Sequence, residues 1–172
     1  QVQAVPTAFF RELGECDILF IGDSITDFWG KRGTTLWNDT YVSRNAINMG
    51  YSGDQTSHVL WRIDNGEMTS FQPKVAVLMI GTNNAQHQKG GSPQQTAEGI
   101  RAIIDRIRAK SPKTKVLLLG IFPRGANSQD RWRLVNDKVN AIISKYHDGD
   151  KVHYLDISSA FLDNKGNLSR KL

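Results

Sequence analysis

Short unbroken runs of apolar residues alternate along this chain with stretches in which apolar positions recur every three or four residues. The unbroken runs are Asp17-Ile18-Leu19-Phe20-Ile21, Val75-Ala76-Val77-Leu78-Met79-Ile80 and Val116-Leu117-Leu118-Leu119, with Ala46-Ile47-Asn48-Met49 and Val152-His153-Tyr154-Leu155-Asp156-Ile157 as less apolar versions. Runs this short that do not alternate suit strands buried on both faces of a parallel sheet. The periodic stretches predict helices. Ile100, Ile103, Ile104 and Ile107 form one stripe, preceded by Ser92-Pro93-Gln94-Gln95, which supplies an N-cap, a first-turn proline and a capping-box partner in order. Val135, Val139, Ile142, Ile143 and Tyr146 form a second stripe ending near Asp148-Gly149, and Val59, Leu60 and Ile63 a shorter one ending near Asn65-Gly66.

Strand and helix therefore alternate with short connections, the pattern of a parallel sheet covered by helices and joined by right-handed crossovers. Five strands predict a flavodoxin-like, three-layer α/β/α domain. No internal repeat, low-complexity tract or linker interrupts residues 1–172, so one domain is expected. Ligands of such sheets collect beyond the carboxyl ends of the strands. Three motifs fall there: Gly22-Asp23-Ser24-Ile25-Thr26, Gly50-Tyr51-Ser52-Gly53-Asp54 and Gly81-Thr82-Asn83-Asn84.

Composition narrows the classes. At 172 residues the chain can bury a substantial core. Its 22 Lys and Arg exceed 17 Asp and Glu by five, but the bases are interleaved with acids, as in Asp130-Arg131-Trp132-Arg133, which reads as a solvated surface and not a nucleic-acid face. Cys16 is the sole cysteine, so neither an intrachain disulfide nor a Cys-rich metal site can form. No histidine pair has the spacing and acidic company of a zinc site, and no cofactor is expected. The longest strongly apolar run, Val75 to Ile80, is far too short to cross a bilayer. No secretory apolar region precedes the first strand, and a chain beginning at Gln1 suits a mature exported protein, periplasmic or extracellular, or a trimmed one.

The three motifs hold the parts of an acyl-transfer site. Ser24 follows the first strand and should open a helix or turn, which puts its hydroxyl at the sheet's edge near helix-terminal N–H groups; capping that helix is its plainer role. Gly53, without a side chain, lets a backbone N–H approach a ligand closely, though a simple turn needs a glycine as readily. Asn83 could turn its amide into the same crevice, or cap a helix. Together, the backbone N–H groups of Ser24 and Gly53 and the side chain of Asn83 would make a three-donor hole for the oxyanion of a tetrahedral intermediate. Phosphate binding fits less well, because Gly30-Lys31 lacks both the glycine five places earlier and a following Ser or Thr.

With Gly22-Asp23-Ser24-Ile25, Gly53 and Gly81-Thr82-Asn83-Asn84 in this order and spacing, the chain resembles an SGNH (GDSL-type) hydrolase. Asn48 to Ile63, including His58-Val59-Leu60-Trp61-Arg62, and Gly120-Ile121-Phe122-Pro123-Arg124-Gly125 resemble the branch related to platelet-activating-factor acetylhydrolase. The resemblance runs from about Asp17 to Leu172. It implies Ser24 as nucleophile, Gly53 and Asn83 as oxyanion residues, and an acetyl or other short acyl ester as substrate, a small molecule or a carbohydrate. It also implies an Asp-x-x-His block after the last strand, followed by a closing helix. Residues 166–172, Gly-Asn-Leu-Ser-Arg-Lys-Leu, stand about where that loop should begin. The expectation is therefore a domain without its C-terminal part, leaving an apolar sheet face near the first strand and a tendency to associate as a homodimer.

Asp150-Lys151-Val152-His153 formally spells Asp-x-x-His, but it begins the fifth strand, whereas Ser24 lies past the end of the first. From His153 to the strand's far end is about 13 Å at roughly 3.3 Å per residue, too far for proton transfer. His58 falls on the helix after Gly53, close enough to touch a substrate but with packing as the plainer role; His87 lies in a polar loop that could border the site or be solvated; and His147 ends a helix, where a cation is favourable. Trp29, Trp37 and Tyr51 lie near the site's loops and could stack on a sugar, with packing as the plainer role. Arg124, just past the fourth strand, could meet an anionic group or hold a loop carbonyl. The leading expectation is a serine esterase working through an acyl-enzyme on Ser24. The alternative is a non-catalytic ester- or glycan-binding module that keeps the oxyanion pocket without an Asp and His pair.

Overall fold

Five parallel strands, β1 (Ile18–Gly22), β2 (Ala46–Gly50), β3 (Val75–Met79), β4 (Lys115–Leu119) and β5 (Val152–Leu155), stand in the order β2-β1-β3-β4-β5. The structure, a computed structural model, describes residues 16–70, 72–87 and 92–169. The α-helices are α1 (Ser24–Asp27), α2 (Thr34–Thr40), α3 (Thr56–Arg62), α4 (Thr82–His87), α5 (Pro93–Lys110) and α6 (Arg131–Ile143). The five-stranded parallel sheet implied by the apolar runs is present, and the three periodic stripes are α3, α5 and α6. Short α1 and α4 carry too few turns to show a period, and α2, as long as α3, offers only Leu36 and Trp37 as apolar positions.

Local chemistry sets the ends of these helices. Asp130 caps α6, its carboxylate accepting from the N–H groups of Trp132 (2.9 Å) and Arg133 (3.0 Å). Ser92 stands at the N-cap of α5 as expected, but its hydroxyl makes no cap hydrogen bond; Pro93 has already removed one of the donors a cap would satisfy. After α3 one wider turn runs from Ile63 to Glu67 and closes at Gly66.

The two faces of the sheet are covered unequally. On one face Leu19, Ile21, Ala76, Leu78, Val116, Leu118 and Val152 are at most 1% exposed. They pack with Val59 and Ile63 of the α3 segment, the four isoleucines of α5, and Val139 and Ile143 of α6. On the other face the alternating residues Ile18, Val75, Val77, Leu117 and Leu119 stay half-buried. Phe20 is covered there by Trp37 and Tyr41, with ring centroids 5.2 and 5.0 Å away. Beside this aromatic cluster lies an apolar groove of about 750 Å³, lined by strand residues such as Val77 and Leu117 and rimmed by Ile25, Phe28, Phe122 and Phe161. No described helix is long and apolar enough to cross a membrane.

Candidate active site

Gly22, at the end of β1, is level with Gly50 of β2 on one side and Met79 of β3 on the other. Ser24, Gly53 and Asn83 follow these residues by two, three and four positions. Parallel pairing thus delivers all three residues to one edge of the sheet.

Ser24 is the first residue of α1, and the cap is its neighbour. The Asp23 carboxylate accepts from the Ile25 N–H at 3.0 Å, so the capping role open to Ser24 is filled. Asp23 is 1% exposed. Burial pushes its carboxyl up to about 6, against the opposing pull of the Ile25 N–H and the positive charge of Arg124. The one-turn helix α1 is drawn onto the end of β2. Asn48 donates from Nδ2 to the Thr26 carbonyl (2.8 Å) and accepts the Gly50 N–H on Oδ1 (2.9 Å). Ser52 donates to Asp27 Oδ2 (2.8 Å), which also takes the Lys31 ammonium (2.7 Å). Glycine at 50 permits this approach, since a Cβ there would stand 2.6 Å from the carbonyl carbon of Thr26.

Gly53 needs its lack of a side chain for a different reason. Its φ is +88°, and nothing lies within 4 Å of where a Cβ would point, so conformation and not crowding selects glycine. The following residue joins this loop to the third. Asn83 donates from Nδ2 to the Asp54 carbonyl at 2.8 Å, which leaves the second hydrogen of that nitrogen for a ligand. Asn84 is buried and makes a two-point clamp, accepting the Thr56 N–H on Oδ1 (3.1 Å) and donating to Thr56 Oγ1 (3.0 Å).

Behind the Gly53 loop sits a buried ionic cluster that periodicity hides, because Arg62 occupies the apolar stripe of α3 between Val59 and Ile63. Its Nη1 pairs with Asp54 Oδ2, its Nε with Glu67 Oε1 at 2.7 Å, and its guanidinium lies over the Tyr51 ring, 4.2 Å from the centroid. Burial raises the Glu67 carboxyl while Arg62 opposes the rise. A charged residue inside a helix's apolar stripe, with acids five and eight places away, is the sequence signal for it. Thr82, beside Asn83, is held by Arg124, whose Nη1 reaches its carbonyl (3.3 Å) and hydroxyl (3.2 Å), and by Asn136 Nδ2 at 3.3 Å. Arg124 therefore takes the loop-holding role. Trp29 and Trp37 pack in the aromatic cluster, and Tyr51 packs beneath Arg62.

The histidines whose contacts are described are engaged elsewhere. His58 accepts the Gln55 N–H on Nδ1 (3.1 Å) in the capping box of α3, 3.7 Å from Asp54 Oδ1. His147 accepts the Tyr154 N–H (3.2 Å), and His153 contacts the Asp150 carbonyl (3.1 Å). Their rings are 5.5 Å apart at the beginning of β5, the opposite sheet edge from Ser24. The His87 side chain lies outside the described residues. Among the described residues no three His, Cys, Asp or Glu side chains stand together to hold a metal. What the edge offers is a serine hydroxyl at a helix start, with the Gly53 loop and Asn83 following the two neighbouring strands.

The sequence model described as the GDSL-like Lipase/Acylhydrolase family matches residues 20–172. Platelet-activating factor acetylhydrolase IB subunit alpha1 of Rattus norvegicus is 34% identical over 158 residues, covering 90% of this chain and 64% of the relative. The alpha2 subunit of Gallus gallus is 35% identical over 156 residues, 90% of this chain and 65% of the relative. The chain thus spans somewhat less than two thirds of the length of these relatives. Among solved structures, a protein of Bacteroides fragilis superposes with a TM-score of 0.77 at 21% identity, covering 96% of this chain and 81% of its own. Axe2, an acetylxylan esterase from Geobacillus stearothermophilus, gives 0.65 at 18%, covering 89% and 86%. Both share the fold.

Proposed function

We propose that this chain, which belongs to the GDSL-like lipase/acylhydrolase family, is a serine carboxylic ester hydrolase acting on acetyl or other short acyl esters of a small molecule or carbohydrate. One observation carries the reading. Ser24, Gly53 and Asn83 follow the ends of three adjacent strands, and Asn83 is tied to the residue after Gly53 by its bond to the Asp54 carbonyl.

The mechanism follows from that placement. Ser24 Oγ attacks the ester carbonyl, and the carbonyl π electrons move onto oxygen. The backbone N–H groups of Ser24 and Gly53 and the remaining N–H of Asn83 receive the oxyanion, which fixed donors stabilise more than mobile water does. The oxyanion electrons re-form the carbonyl as the C–O bond to the alcohol breaks and that oxygen takes the proton held by the base; water, giving its proton to the same base, then attacks the acyl-serine, and Ser24 Oγ regains a proton as the acid leaves. The proton on Ser24 needs a base within hydrogen-bond reach; His147 and His153 lie at the opposite sheet edge and His58 Nδ1 is taken by the Gln55 N–H, so the proposal takes its base from outside the described residues. The short acyl group is favoured by the acetyl ester named for both the curated relatives and the esterase Axe2.

The test is fluorophosphonate labelling of the full-length protein with mapping of the modified peptide. Label on Ser24, lost in Ser24→Ala, together with hydrolysis of p-nitrophenyl acetate faster than of octanoate, is expected. A folded protein that neither labels nor hydrolyses but binds acetylated sugars would make it a binding module.

A further inference from the structure

We infer that Arg62 is a positioning residue for the oxyanion donors; the inference rests on the esterase reading above and names a part of the same site that touches no substrate. Gly53 lies in a tight turn closed by the Asp54 N–H on the Tyr51 carbonyl at 3.2 Å, and these two bracketing residues, Tyr51 and Asp54, both rest on one guanidinium. Arg62 Nη1 pairs with the Asp54 carboxylate, and the face of the group covers the Tyr51 ring at 4.2 Å. Nε is taken by Glu67 Oε1 at 2.7 Å, which fixes the plane of the fork from the far side. Asp54 then transmits this order, because its carbonyl receives Asn83 Nδ2 at 2.8 Å. Two of the three donors, the Gly53 N–H and the Asn83 amide, are thus oriented through one buried cation.

The chemistry of the cluster fits orientation better than stability. Arg62, Asp54 and Glu67 are 7%, 8% and 2% exposed, and two acids face one base. Arg62 Nη2 and Glu67 Oε2 are buried without a hydrogen-bond partner among the described residues. A buried ionic group with unmet hydrogen bonds is an inefficient source of stability, and apolar residues of similar volume often do as well. What a planar fork supplies and apolar packing does not is a set of fixed directions. Lysine keeps the charge but loses the fork, so Arg62→Lys separates the two roles.

The experiment compares wild type, Arg62→Lys, Asn83→Ala and the double variant of the full-length protein, with thermal melts beside kcat and KM on p-nitrophenyl acetate. A small misplacement of the donors should lower kcat in Arg62→Lys by about 10- to 100-fold with KM nearly unchanged. The loss should be largely absent when Asn83 is already alanine, because residues acting through one another are non-additive. A folded Arg62→Lys with kcat within twofold of wild type, or losses that multiply in the double variant, overturns the inference. If Arg62→Lys does not fold, Glu67→Gln, which keeps the shape and removes the charge, carries the same cycle with a smaller loss. If wild type neither hydrolyses nor labels, the esterase reading fails and amide NMR decides on Arg62 alone. Shifts of the Gly53 N–H and the Asn83 side-chain amide in Arg62→Lys then uphold the positioning role, and unmoved resonances overturn it.

Discussion

Replacing Asn83 by alanine separates a catalytic donor from a structural one by the size of two effects. The structural loss is one hydrogen bond, 2.8 Å from Nδ2 to the Asp54 carbonyl, at a partly buried site. Such a bond contributes about 1 kcal/mol net, or roughly 2–4 °C in melting temperature for a domain of this size. The kinetic loss is larger if the second N–H of that amide binds the oxyanion: removing one such donor costs about 10²–10³ in kcat, roughly 3–4 kcal/mol. The interaction exists only once the carbonyl oxygen bears charge, so kcat and kcat/KM fall together. Steady-state kinetics on p-nitrophenyl acetate, with a melt of the same preparation, measure both quantities. Asn83→Asp sharpens the contrast, because it keeps the shape and turns an acceptor oxygen towards the oxyanion. A well-folded Asn83→Ala that retains kcat within tenfold of wild type, or that raises KM alone, refutes the donor assignment.

Three further outcomes follow from the geometry. Gly50→Ala forces a Cβ against the main chain of Thr26 and should cost about 3 kcal/mol or more, whereas Gly53→Ala, strained only by its φ of +88°, should cost about 1–2; equal losses in urea unfolding contradict both accounts. Asp23 has its folded pKa raised from 3.8 to about 6, so its stabilising share is complete below pH 4 and is lost as pH rises through 6. That amounts to about 3 kcal/mol at 1.36 kcal/mol per pK unit; Asp23→Asn should remove this slope from stability measured between pH 4 and 7, and an unchanged slope would place it elsewhere. The open groove beside β1 should bind the apolar dye ANS in a 1–172 chain that still melts cooperatively, and Leu117→Glu, at a half-buried position lining it, should abolish the signal with little loss of stability.

The sheet was legible because the runs Ile18–Ile21, Val75–Met79 and Val116–Leu119 are apolar without interruption, although one face of them is only half-buried. The long helices were legible from stripes such as Ile100 to Ile107, which the core then uses. That Ser24, Gly53 and Asn83 would share one sheet edge could be read because they follow the ends of strands that pair in parallel. What could not be read were the contacts that make three loops into one body. Asn48, Asn84 and Asn136 are ordinary polar residues until the fold brings Thr26, Thr56 and Thr82 to them. Arg62 is hidden for the opposite reason, since a stripe reading expects an apolar residue and a lone arginine looks like noise. The strand patterns did not report how unequally the described residues cover the two sheet faces, because they carry burial and not what provides it.

These contacts also explain why the position of Ser24 depends on glycines and asparagines more than on the core. A single helical turn has almost no stability of its own, so α1 goes where its neighbours hold it. On the β2 side it is gripped by the Asn48 bridge, by the approach that Gly50 permits and by Ser52 on Asp27. On the other side Ile25 is 37% exposed at the rim of the groove. A perturbation at Gly50 therefore reaches the nucleophile through two residues of chain, while one deep in the core, such as at Ile103, must first deform a strand. Gly50→Ala should accordingly slow fluorophosphonate labelling of Ser24 even under conditions where the variant stays folded, and Ile103→Ala, at equal loss of stability, should not.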